Sequence, residues 1–340
     1  MHKKQDNSNI NPLENTVEKF KVEIISHLYR RANLIQKPRT IFGFVYKQIC
    51  KSLYSLILKV SDPVASIKVG KKNIYINASS DIPVIQSKYR YYDTALPRIC
   101  KFINAQKGSI ILIDVGANVG DTVSLITDEI FGKFLCVEAF DKYFQLLLMN
   151  TENIQNVVCE KVLLSDEEEI VNVSLVQDAG TAYVSGQGTG DVNTQYLATT
   201  IDKLVEKHQD FSRTNILKVD TDGYDYKIIR GSKKLISESK PAIYFELSPH
   251  HLINLGENPT SIFEYLLELG YSNALIYDGF GYPFLKIHIS DLATIEQIVN
   301  YARIIKRYFY YDVLVVHEND RDIFELFYQE EINHFPKVKW

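Results

Sequence analysis

The chain of 340 residues carries 38 Lys/Arg against 42 Asp/Glu, a formal net charge of −4, with 46% hydrophobic residues. That length supports a core of ordinary size, and the mild acidity excludes a nucleic-acid partner bound by the surface as a whole. No apolar run approaches the roughly 18–20 residues of a membrane-spanning helix. Cys50, Cys100, Cys136 and Cys159 lack C-x-x-C spacing, which excludes a zinc ribbon or disulfide scaffold and leaves four small buried residues.

Residues 1–60 hold eleven Lys/Arg and four Asp/Glu, so the remaining 280 carry a net of −11. Residues 1–15 are polar and Asn-rich and read as a disordered tail, not a secretory signal. Residues 16–60 read as a basic helical extension, broken near Gln36-Lys37-Pro38-Arg39 because the residue before proline avoids the α region. In its second part Phe44, Ile49, Leu53, Leu56, Ile57 and Val60 fall on one side, with Lys47, Lys51 and Lys59 on the other. The expectation is that the apolar side packs on the body. The second reading is peripheral contact with an anionic membrane through residues 40–60, at its inner face, of an otherwise cytoplasmic protein.

Residues 61–108 combine a hairpin, 65–69 and 73–77 around Gly70-Lys71-Lys72, with a lead-in helix over 93–103. Residues 109–318 then alternate strand and helix, as a mostly parallel α/β sheet covered on both faces requires. Strands are expected at 110–114, 134–138, 157–164, 216–220, 242–246, 274–278 and 312–317, and residues 319–340 read as a C-terminal tail.

The stretch from Ile111 to Thr122, I-L-I-D-V-G-A-N-V-G-D-T, carries most information. An apolar strand ends in Asp114 and runs through Gly116 and Gly120 into a helix begun by Asp121-Thr122. Glycines there let backbone approach a ligand, and the new helix offers free N–H groups. A dinucleotide fingerprint needs Gly-x-Gly-x-x-Gly, but Asn118 and Asp121 stand at its second and third places. Asp114 and Asp121 would also repel a pyrophosphate. Glu138, closing the second strand, is placed to accept both hydroxyls of a ribose, and Ser165-Asp166 after the third suits an adenine amino group. A cationic nucleoside without phosphate matches these positions, and S-adenosylmethionine is one. A nicotinamide-dependent oxidoreductase and a non-catalytic module docking at a membrane are the alternatives.

Asp114-Val-Gly-Ala-Asn-Val-Gly120, Val137-Glu138-Ala139, Lys218-Val-Asp-Thr-Asp-Gly-Tyr-Asp225 and Ile243-Tyr-Phe-Glu246 together resemble the FkbM-type S-adenosylmethionine-dependent methyltransferases. The resemblance runs from about residue 65 to near 318 and includes Tyr92-Asp93 and Tyr310-Tyr-Asp-Val-Leu. It implies a Rossmann-like class I methyltransferase fold, a seven-stranded mostly parallel sheet with the cofactor across the carboxyl ends of the first strands. It further implies methylation of a hydroxyl oxygen, often on a sugar, so a glycan, glycolipid or related small-molecule acceptor is expected. The chain departs from the family at Asp222 and Asp225, where Glu is usual and the reach is longer.

On the acceptor side, Lys218, Asp220 and Asp222 gather at the end of the fourth strand, with Asp220 the expected general base. Glu246 and His250 or His251 would complete the pocket. Asp220, Asp222 and Glu246 also offer hard oxygen ligands to Mg²⁺, although no metal is expected. Tyr89, Tyr91, Tyr92, Tyr308, Tyr310 and Tyr311 are candidate walls around a sugar. Gly180, Gly186, Gly188 and Gly190 suggest a loop near it. Nucleic-acid amino methylation is opposed by the acidic body and by the lack of an Asn/Asp-Pro-Pro-Tyr/Phe segment.

Overall fold

The computed structural model describes residues 16–35, 40–178, 181–185, 193–305 and 309–336. The tail 1–15, the break at 36–39, Tyr308 and the glycines at 180, 186, 188 and 190 lie outside the described residues.

Helices α1 (Thr16–Tyr29, continued by a π turn over Arg30–Leu34) and α2 (Ile41–Leu58) pack on a hairpin of β1 (Val64–Val69) and β2 (Lys72–Asn77). Thr40 Oγ1 accepts the Gly43 amide at 3.0 Å and so starts α2. Ile25, Tyr29, Cys50 and Tyr54 share a core with Ala65, Ile67, Ile74 and Ile76. Most of the apolar side of α2 does not pack, contrary to expectation; of its six residues only Ile57 lies against the core. Cys50 and Tyr54 face inward, while Phe44, Ile49, Leu53, Leu56 and Val60 are exposed. The inward side is chosen by polar reach as much as by hydrophobicity: the Tyr54 hydroxyl donates to the Ala78 carbonyl.

Two helices follow, α3 (Ile82–Lys88) and α4 (Ala95–Lys107). The chain then runs through β3 (Ile110–Val115), α5 (Asp121–Ile126), β4 (Gly132–Val137), α6 (Asp141–Thr151) and β5 (Val157–Glu160). The strands β6 (Leu163–Leu164), β7 (Glu169–Asp178), β8 (Thr181–Ser185) and β9 (Asn193–Thr199) form a separate small sheet ordered β6-β9-β7-β8. Next come α7 (Ile201–Lys207), β10 (Ile216–Val219), α8 (Asp225–Arg230), α9 (Lys233–Ser239) and β11 (Ala242–Leu247). The chain ends with α10 (Pro249–Asn254), α11 (Ser261–Glu268), β12 (Tyr271–Asp278), β13 (Pro283–His288), α12 (Leu292–Ile304), β14 (Tyr311–His317) and α13 (Arg321–His334).

The main sheet has eight strands in the order β5-β4-β3-β10-β11-β14-β12-β13. The first five are parallel, β14 runs antiparallel between β11 and β12, and β13 is antiparallel to β12. Seven strands were expected. The eighth begins at Pro283, which reads as a breaker but is tolerated as the first residue of an edge strand. Its turn needs Gly281, with φ +84°, where an added Cβ would fall 2.0 Å from the Tyr91 carbonyl oxygen. The segment 157–164, read as a single strand, divides between the two sheets.

Side chains alternate across the main sheet. Ile113 and Val115 enter one core while Ile110 and Leu112 enter the other. The chain steps outward from β3 to β4 and β5, then returns to β10 on the other side of β3. The reversal opens a crevice at the carboxyl ends of β3 and β10. Over the described residues 319–336 there is no free tail, because α13 buries Phe324 and Phe327 and its Glu331 receives Arg98 Nε at 2.9 and 3.0 Å. No described helix is long and apolar enough to cross a membrane.

Candidate active site

The crevice holds a cavity of about 640 Å³. Its floor is the turn after β3. Gly116 has φ +73°, and an added Cβ would lie 1.8 Å from the Asp220 carbonyl oxygen, so only glycine lets this turn cross the end of β10. The Gly116 and Ala117 amides both donate to the Val137 carbonyl at 3.0 Å, and Asn118 adopts φ +48°. Glu138 ties the two strand ends together: Oε2 accepts from the Asn118 amide at 3.0 Å and Oε1 from the Phe140 amide at 2.8 Å. Burial pushes its carboxyl above the usual range, while the Phe140 and Asn118 amides pull the other way. Each oxygen keeps a lone pair for a ligand hydroxyl.

Beneath the turn, Lys218 Nζ lies 3.0 Å from Asp114 Oδ1, donates to the Gly116 carbonyl at 2.9 Å and approaches Asp220 Oδ2 at 3.5 Å. Burial alone would lower the lysine, but Asp114 and then Asp220 hold it well above the ordinary value. Lys218 is thus a permanent cation at the cavity wall.

The cavity around it is rich in carboxylates. Asp121, Asp220, Asp222, Glu246 and Asp312 all line the cavity. Burial followed by the charge of Asp220 raises both Asp222 and Asp312 to about 8, and burial followed by Asp222 raises Glu246 well above its usual range. Asp222 stands at φ +53° and is followed by Gly223 at φ +114°, where a Cβ would press 2.9 Å from His251 Cβ. That turn sets Asp222 Oδ1 3.6 Å from His251 Nδ1. Burial, then His250, lowers His251 to about 4, leaving it neutral near pH 7. One ligand atom from each of Asp222, Glu246 and His251 lies within 4.8 Å of the others, so His251 takes the place expected of Asp220 in a triad of metal-binding geometry.

Lys218, Asp220, Asp222, Glu246, His250 and His251 are therefore brought together, as are Gly116, Asn118, Asp121, Thr122 and Glu138. Four expected cofactor residues are not on the cavity. Asp114 is fully enclosed and serves Lys218. Gly120 packs α5 on α6, since a Cβ there would meet Leu147 at 2.8 Å. Ser165 is fully buried, and Asp166 pairs with Arg230 at 3.6 Å and Lys227 at 3.9 Å. The cavity wall on that side is instead apolar: Val137, Phe140, Val162, Leu163 and Leu164. Of the tyrosines, Tyr89, Tyr92 and Tyr310 line the cavity, whereas Tyr91 packs against Phe335 and Tyr311 donates to the Ile298 carbonyl. The sequence reading passed over Asp93 and Asp312 as site residues. Their signal was their place directly after Tyr92 and Tyr311 in the two quoted motifs.

Residues 114–272 match the family model described as the Methyltransferase FkbM domain. These residues form an FkbM methyltransferase domain. No curated protein matches the chain. Among solved structures, a methyltransferase FkbM from Methylobacillus flagellatus KT is similar at 16% identity and TM-score 0.37, over 61% of this chain and 43% of that one. The chain thus spans less than half the length of that protein. An O-methyltransferase from Bacillus cereus in complex with SAH aligns at 9% identity and TM-score 0.37, over 66% of this chain and 80% of that one. A TehB-like SAM-dependent methyltransferase from Corynebacterium glutamicum aligns at 6% identity and TM-score 0.34, over 65% and 88%. The FkbM domain thus extends from the end of β3, whose Asp114 opens the match, into the start of β12.

Proposed function

We propose that the FkbM domain transfers a methyl group from S-adenosylmethionine to a hydroxyl oxygen of a sugar-bearing acceptor, a glycan, glycolipid or related metabolite. One observation carries the reading: a glycine-only turn and a buried two-oxygen acceptor, Glu138, meet at the strand-order reversal inside a carboxylate-lined cavity. The donor set fits that cofactor. Glu138 presents lone pairs to a ribose, the apolar surface of Phe140, Leu163 and Leu164 suits a purine, and Asp121 favours a cation. S-adenosylmethionine, when bound, supplies an electrophilic methyl group. The same carboxylates oppose the pyrophosphate of a nicotinamide dinucleotide.

Asp220 is the proton acceptor in this reading, because its side chain is the most open of the Lys218 partners and faces the cavity. Tyr92 and Tyr310 form an amphipathic wall for a sugar ring. Asp222, raised to about 8 by burial and the charge of Asp220, keeps its proton near neutral pH and can donate to an acceptor oxygen; Glu246, raised by burial and by Asp222, lines the same cavity, and we assign both to acceptor binding.

Calorimetry with S-adenosylmethionine, its demethylated product and NAD should show binding of the first two; binding of NAD alone overturns the reading. A methyl-transfer screen over sugar nucleotides and lipid-linked glycans identifies the acceptor. With it, Asp220→Asn should lower kcat by roughly a hundredfold or more while leaving cofactor affinity in place.

A further inference from the structure

The exposed side of α2 belongs to none of the machinery above. Ile41 is 87% exposed, Phe42 81%, Leu56 61%, and Val45, Ile49 and Leu53 about half. At 100° per residue these six occupy an arc of about 120°, and from Ile41 to Leu56 they extend about 23 Å along the helix. A stripe of that size normally faces a core. Here the core is on the other side, where Cys50 and Tyr54 are buried.

A second exposed apolar row continues the surface. Val17, Phe20 and Ile24 project from α1, spaced three and four apart. The two helices are joined where His27 Nε2 meets the Tyr46 hydroxyl at 2.8 Å and Arg31 lies over the Tyr46 ring at 5.6 Å. Cations border this surface: Lys51 and Lys59 are exposed on α2 and just beyond it, and Arg30 and Arg31 on the adjoining turn, whereas Lys47 turns inward to donate to the Ile35 carbonyl. Residues 40–61 hold no acidic residue; on α1, Glu18 pairs with Lys21 and Glu23 is exposed.

We infer that α2 and the adjoining row of α1 form a docking surface for an anionic lipid bilayer, with the apolar stripe at the acyl boundary and the cations on headgroup phosphates. Two features select this occupant. The stripe is apolar and continuous along the helix, the pattern of a helix that lies in the plane of a bilayer surface. The net charge of +7 on residues 1–60 opposes the pairing of two copies through this face. The helix lies on the surface and does not cross, because no described helix is long and apolar enough to span. The inference does not depend on the methyltransferase chemistry.

Flotation of the full-length chain with vesicles tests it. With phosphatidylcholine containing a quarter phosphatidylglycerol, the chain should float. With phosphatidylcholine alone, binding should fall at least tenfold, and added salt should release it. Ile49→Asp with Leu53→Asp changes only exposed positions and should cut binding at least tenfold while leaving the thermal unfolding profile in place. Lys51→Glu with Lys59→Glu should do the same to the anionic-vesicle component. Failure of the folded chain to float with anionic vesicles overturns the inference, as does flotation unchanged in both variants. A stable dimer in light scattering that the Asp variant dissociates also overturns it and assigns the face to a second copy.

Discussion

Lys218→Met is the most informative single substitution, because it removes the cation from a pair that is otherwise closed. The Lys218 side chain is 6% exposed and that of Asp114 is 0%, at 3.0 Å. Apart from Lys218, neither Asp114 oxygen has a side-chain or backbone partner among the described residues, so the carboxylate depends on this one lysine. Removing one member of a buried pair typically costs about 3–5 kcal/mol. An independent route gives a similar figure. The stranded carboxyl regains neutrality by binding a proton, which for a reference pKa of about 3.9 costs about 1.4 kcal/mol per pH unit, or about 4 kcal/mol at pH 7. That is a large share of the roughly 5–15 kcal/mol that holds a domain together. The sign of the pH dependence follows. The folded variant holds one more proton than the unfolded one, so its deficit against the parent should shrink by about 1.4 kcal/mol per unit on acidification from pH 7 to pH 5. Urea unfolding followed by circular dichroism at both pH values measures this, and Asp114→Asn added to the lysine variant should recover most of the loss. A deficit under about 1 kcal/mol at pH 7, or one equal at both pH values, refutes the reasoning.

Gly116→Ala should lower stability by at least the roughly 1–2 kcal/mol of a left-handed L-residue and reduce cofactor affinity at least tenfold, because its Cβ would displace the Asp220 carbonyl; unchanged calorimetry would remove the turn from the site. Asp166→Asn should leave cofactor affinity within twofold, since its carboxylate faces Arg230 and Lys227 and not the cavity. A tenfold loss on calorimetry would return Asp166 to the cofactor. The cofactor-free chain should lose stability as pH rises from about 4 to about 8, because Asp222 and Asp312 are both raised to about 8 and the folded state binds the extra protons in that window. Asp312→Asn should flatten the dependence of Tm on pH, and an unaltered slope would show that Asp312 ionises freely.

Local pattern carried much of the fold. Apolar strands of four to six residues separated by amphipathic helices made the α/β alternation legible, and glycines at strand ends marked the crevice. β13 escaped because half-exposed edge residues beginning with proline lack a burial signal, and its pairing is decided by Gly281 bending the chain back along β12. The orientation of α2 escaped for a related reason. Periodicity shows that a helix has two sides but not which side meets the body, and here Cys50 and Tyr54 pack, with Ile57 and Leu58 against them in part, while most of the apolar stripe stays out.

The site divides along the same line. Gly116, Asn118, Asp121, Thr122 and Glu138 were readable because their function depends on immediate neighbours: a turn, a helix start, a strand end. Asp114 and Asp166 have the same chemistry and similar placement by number, yet one lies under the turn and the other in a half-buried ion-pair cluster. Whether a carboxylate faces a ligand or a lysine depends on which way its strand presents it and on what packs behind. Asp312 and Tyr310 enter because β14 inserts antiparallel between β11 and β12, which sets Glu246 opposite Asp312 in register. The sequence by itself determined the elements, the glycine turn and the acidic character of the site. Only tertiary structure decided which acids converge, because convergence joins strands far apart in the chain through a sheet order that no local pattern encodes.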